Sequence, residues 1–169
     1  MTVPGTYRVS DQSAVEPWLA FSEWVKVARP ALQRTAMTYH ATITYKDLAE
    51  EVQATSGIRT RRLLQNWIGD VLGTVAEDCH QAGEPLLSAL CVRADGTVGP
   101  GYGKAVVDNF GGDPPDDLDM HAAVERLECH RFFGAQLPAD GGSPALTPLV
   151  AAARRHLMLP ISGQCDNCS

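Results

Sequence analysis

"ITYKDLAEEVQATSGIRTRRLLQNWI", residues 43 to 68, decides how the chain is read. Thr44 stands three residues before Asp47, the spacing of a capping box with Asp in place of the usual Glu, so a helix is expected from Tyr45. Leu48, Ala49 and Val52 give it one apolar face, and Gly57 suits the left-handed residue that ends such a helix. Thr60 is then placed to cap a second helix, whose Leu64, Trp67, Ile68, Val71, Leu72 and Val75 keep one apolar side. These signals specify a helix, a short turn and a helix. Arg59, Arg61 and Arg62 crowd the start of the second one, the end where the backbone dipole already leaves positive charge. Such a placement suits an anion such as phosphate. The alternative is that the arginines are solvated or pair with Glu50, Glu51 and Asp70, contributing little.

Outward from this stretch, 169 residues suit one domain with a real core, and 44% hydrophobic with 20% charged residues fits a folded protein. No apolar run is long enough for a membrane span, and "MTVPGTYRVSDQ" at the start lacks a basic patch followed by an apolar core, so a cytoplasmic protein is expected. Five cysteines without regular framing fit reduced thiols rather than a disulfide scaffold. A net charge of −6 excludes unspecific coating of nucleic acid and leaves only a local basic face for that role.

Upstream, "EPWLAFSEWVKVAR" (16 to 29) spaces Trp18, Phe21, Val25 and Ala28 as a core-facing helical stripe that Pro30 closes, with another helix ending near His40. Downstream, Gly69 and Gly73 read as close packing contacts, and Gly83 with Pro85 stops the helix. "PLLSALCV" follows as a short buried strand, "RADG" as a turn, and Thr97 with Val98 as a returning strand. The expected fold is mainly α with a small β-hairpin (α+β): a winged-helix-like core over 43–103, a flexible arm over 1–15, a helical extension over 104–160 and a flexible cysteine-containing tail over 161–169.

"ITYKDLAEEV", the arginine-led "RTRRLLQNWI", a proline before an apolar strand and a "DG" turn together resemble the DNA-binding half of the alkylguanine-DNA alkyltransferases and the alkyltransferase-like proteins, over about 60 of 169 residues. In that family a Tyr-x-x-Leu/Ile-Ala helix leads to a recognition helix, and Pro-Cys-His-Arg or Pro-Trp-His-Arg occupies the active-site strand. Here Pro85 is followed by Leu86, Leu87 and Ser88, and Cys91 has no adjacent His. The resemblance therefore implies DNA binding through Tyr45, Arg59, Thr60, Arg61 and Arg62, and no alkyl transfer, which needs a thiolate activated by a neighbouring base. The wider pattern also resembles small uncharacterised prokaryotic proteins, a likeness that supplies no activity.

Other motifs read more plainly. "GPGYGK" (99 to 104) lacks the first glycine and the hydroxyl residue of a phosphate loop and is expected to be a flexible connection. Acidic "DPPDDLD" leads a helix that Met120, Val124, Leu127 and Phe132 or Phe133 mark and Gly134 ends, and on it His121, Glu125 and Cys129 share one face. A last helix follows Thr147-Pro148, with Leu149, Val150, Ala153 and Leu157 toward the core. Cys165 and Cys168 have the two-residue spacing that lets two thiolates share a zinc, with Cys129 and His130 as further ligand candidates, although free tail cysteines are the default. Two functions follow from the sequence. One is a non-catalytic DNA-binding accessory of DNA processing or of phage and host conflict; the other is an adaptor that docks another protein.

Overall fold

A computed structural model describes residues 5–157, so the tail pair Cys165 and Cys168 lies outside the described residues. Strand β1 (Thr6–Arg8) leads through Val15 into helix α1 (Pro17–Ala36), then β2 (Ile43–Thr44), α2 (Tyr45–Ser56), β3 (Ile58–Thr60) and α3 (Ile68–Gln81). Strand β4 (Cys91–Val92) and helices α4 (Pro100–Phe110), α5 (Leu118–Phe132) and α6 (Pro148–Leu157) complete it, with single 3-10 turns at Leu64–Asn66 and Leu87–Leu90. The protein is mainly helical with a small β part, as expected for α+β. Among the described residues no helix is long and apolar enough to cross a membrane.

Local signals in the deciding stretch act as expected. The Asp47 amide donates to Thr44 Oγ1 at 3.1 Å, α2 starts at Tyr45, and Gly57 closes it at φ 71°. Leu48, Ala49 and Val52 are buried. The connection to α3 differs from a short turn. Residues 58–60 form β3, which pairs antiparallel with β1 in the register Tyr7↔Arg59, so the segment expected as a loose arm contributes a strand and the buried Val15. Thr60 caps no helix: its hydroxyl meets that of Thr6 at 3.1 Å and accepts from the Arg62 amide at 3.2 Å.

Pro30 lies inside α1 rather than at its end. An interior proline removes one helix hydrogen bond and costs about 3 kcal/mol, which burial of Ala28, Ala31 and Leu32 on either side of it offsets. The buried stripe is Ala20, Trp24, Ala28, Ala31, Leu32 and Ala36, whereas Trp18 is 70% exposed. The expected wing is also replaced. Residues 87–90 turn as a 3-10 helix, and β4 pairs in parallel with β2, Ile43↔Cys91, through the crossover that contains α2 and α3. Arg93 and Thr97 close only a tight turn, the Arg93 amide donating to the Thr97 carbonyl at 2.8 Å.

Helix α5 presents a different face from the one the large side chains suggest. Ala122, Ala123, Arg126, Leu127, Cys129 and His130 are buried, while Met120, Val124 and Phe132 are exposed. Small residues let α5 approach the 87–90 turn and α1 closely, a gain the periodicity of bulky residues does not register. In α6 only Val150 is buried, and Leu149 and Leu157 face outward.

His130 joins α5 to the end of α1. Its Nδ1 lies 2.8 Å from the Ala36 carbonyl and its Nε2 accepts from the His40 amide at 3.1 Å, which makes the ring a neutral imidazole with Nδ1 carrying the proton. Burial holds its pKa below the usual 6.5. A depressed pKa in the folded state means that the unfolded chain takes up the proton first, so this contribution is complete above about pH 6.5 and is lost as the pH falls. His130→Ala is expected to destabilise the protein by about 2 kcal/mol or more, and its unfolding free energy, measured in urea, should decline less steeply than wild type below pH 6.5.

Candidate functional site

The β1–β3 ribbon and the loop that leaves it carry the arginines. Gln53 Oε1 receives the Thr60 amide at 3.0 Å and the Arg61 amide donates to the Gly5 carbonyl at 2.7 Å, so the backbone of the site is fixed from both sides. Beneath it, the Trp24 indole N–H donates to the Ile58 carbonyl at 3.0 Å, and the Trp24 ring packs 4.4 Å from Trp67.

The three guanidinium groups do not stand together at a helix start. Helix α3 begins at Ile68, with Asp70 in its first turn. Arg59 sits on β3 and makes two hydrogen bonds to Glu50, at 3.0 and 2.8 Å, one of the partners expected for a solvated arginine. Glu50 is thereby held below the usual carboxylate range, first by that hydrogen bond and then by the charge itself. Glu51 pairs instead with Arg34. Arg61 lies over the Tyr7 ring, 5.3 Å from its centre, a cation–π contact that leaves its charge unneutralised. Arg62 donates to the Asn66 carbonyl at 2.6 Å. Arg61 and Arg62 are exposed, and neither pairs with a carboxylate among the described residues.

Tyr45 is not part of this basic edge. Its hydroxyl accepts from the Gly99 amide at 3.1 Å and burial raises its pKa, so it joins the start of α2 to the start of α4. A Cβ at Gly99 would come within 2.7 Å of that hydroxyl, which explains the glycine by close approach. The following "PGYGK" is helix rather than a flexible connection, with Pro100 in the first turn where its missing N–H costs nothing. Gly69 and Gly73 are likewise not packing contacts, since a Cβ on either would meet nothing within 4 Å; they line an open groove between α3 and α4 with Asp70, Lys104 and Asp108.

The residues with metal chemistry are committed elsewhere. Cys129 Sγ donates to the Leu86 carbonyl at 3.5 Å, His121 meets the Tyr102 hydroxyl at 2.7 Å, and Glu125 accepts from the Leu86 amide at 3.1 Å. His130 has both ring nitrogens engaged. Among the described residues no three His, Cys, Asp or Glu side chains gather as a metal site. Cys79, Cys91 and Cys129 are buried, and burial pushes all three thiols up, away from the thiolate that nucleophilic chemistry needs.

Sequence reading missed Tyr7, which the ribbon pairs with Arg59 and places under Arg61. Compared with known protein families, curated proteins and solved structures, the chain finds no match. Replacing Trp24 by Phe keeps a ring against Trp67 but leaves the buried Ile58 carbonyl without its indole donor. We expect a loss of about 1 to 3 kcal/mol and faster hydrogen exchange at the amides of residues 58 to 62, read by mass spectrometry.

Proposed function

We propose that this chain is a non-catalytic DNA-binding accessory protein, which meets the phosphate backbone with the edge of its β1–β3 ribbon. Arg61 and Arg62 are the principal contacts. The observation that carries this reading is that two consecutive arginines are exposed without a carboxylate partner among the described residues, on a backbone held by Gly5, Gln53 and Trp24. An arginine resting on a ring or a carbonyl can exchange that contact for a phosphate oxygen at little cost, whereas one locked to a carboxylate cannot. With so few cations against a net charge of −6, backbone contacts position the duplex and supply modest affinity.

A protein partner is the second reading, favoured by Phe110 and Phe132, each 55% exposed, beside a groove that His80, Pro85 and Glu128 also line. A salt-dependent duplex titration separates the two. Each phosphate contact contributes about 0.9 to the slope of log K against log salt, so an Arg61→Ala/Arg62→Ala variant should lose about two such increments. Glu50→Gln releases Arg59 and should steepen the slope by about one increment. Equal weak binding and equal slopes in all three proteins would overturn the DNA reading and favour the adaptor.

A further inference from the structure

A cavity of about 110 Å³ lies between α5 and the segment that starts α6, apart from the ribbon and independent of its function. Its deep side is formed by Arg126, His130 and Thr147, all buried, and its rim by the exposed His40, Thr42 and Ser143. We propose that this cavity binds a small oxyanion, specifically a phosphate group, with Arg126 as its principal ligand.

Arg126 is 5% exposed and has no ion pair among the described residues. Its Nη1 donates to the Ala89 carbonyl at 3.1 Å and its Nη2 to the Ala145 carbonyl at 3.2 Å, which uses two of the five N–H groups of a guanidinium and neutralises none of its charge. Asp119, whose field Arg126 feels, accepts from the Val98 amide at 2.9 Å and does not line the cavity. A buried charge without a counter-ion is costly, and removing such a cost is what an anionic ligand does best.

The remaining lining fits the same sign. No carboxylate faces the cavity; its polar side chains are one guanidinium, two imidazoles and three hydroxyls. Thr147 and Pro148, at the start of the ten-residue α6, also line it, so the positive end of that helix dipole lies beside the same space. The volume is several times what one water needs, about 10 to 15 Å³ on the same measure, and smaller than the roughly 150 Å³ that holds benzene. A tetrahedral phosphate fits there and a nucleotide base does not. The phosphate could arrive as the free ion or as the end of a larger metabolite whose remainder lies beyond the rim.

The test titrates the full chain with inorganic phosphate, with glycerol 3-phosphate and with sodium chloride at matched ionic strength, following the melting temperature and the Arg126 Nε–H resonance. Phosphate is expected to raise the melting temperature with ligand concentration, as linkage requires, and to shift that resonance, while chloride does neither. Equal responses to both phosphates identify the free ion, and a response at tenfold lower glycerol 3-phosphate identifies the end of a larger molecule. Arg126→Lys should weaken binding at least tenfold, and Arg126→Met should abolish it. Because Arg126→Met also removes two carbonyl contacts, the wild-type resonance decides. No shift in the wild type up to about 10 mM phosphate, where a millimolar site is nearly saturated, would overturn the proposal and leave Arg126 as a cross-link between Ala89 and Ala145.

Discussion

One hydrogen bond, from the Trp24 indole to the Ile58 carbonyl, sets the geometry on which the rest depends. Trp24 is on α1, Ile58 opens β3, and Trp67, against which the indole packs, immediately precedes α3. Both bonded residues are buried, so the carbonyl has no water to turn to and the indole N–H has no cheaper partner. The chain leaving α2 is therefore held against α1 as a strand, and β1 has an edge to join. The arginine loop is what extends beyond that anchored point.

This constraint also explains which parts of the fold are legible in sequence. Thr44, Asp47 and Gly57 act within a few residues, and the ends of α2 follow from them. The residues after Gly57 look like a helix start because Thr60 and the apolar spacing from Leu64 are local cues; what overrides them is pairing with Thr6–Arg8, some fifty residues away in sequence. Pro30 fails as a stop for the same reason, since α1 is held by tertiary burial on both sides of it. In α5 the misleading signal is size. Bulky Met120, Val124 and Phe132 define one face, but the face that fits against the 87–90 turn is made of Ala122, Ala123 and Cys129.

Of the functional residues, the arginines were visible by their clustering, and the pairing of Arg59 with Glu50 follows from the approach of β3 to α2. Charge partition among neighbours a helix turn away could not be settled from order in the chain. Arg126 carried a signal of a different kind, a cation inside a face of small and apolar residues. Its significance depends on Ala89, Ala145 and the start of α6, which only folding brings around it. Buried and without an ion-pair partner among the described residues, it contrasts with the exposed Arg61 and Arg62: the same chemical group faces a cavity or open solvent according to what surrounds it.

The central claim is that the anionic partner is met by the ribbon edge and not by the leading end of α3. Nuclear magnetic resonance of arginine-labelled protein during addition of a short duplex tests it most directly. The account requires the Arg61 and Arg62 side-chain N–H signals and the Tyr7 and Arg8 amides to move together, with the amides of Ile68 to Gly73 nearly still. Shifts confined to the start of α3 or to the α3–α4 groove, with the ribbon arginines unmoved, would contradict it.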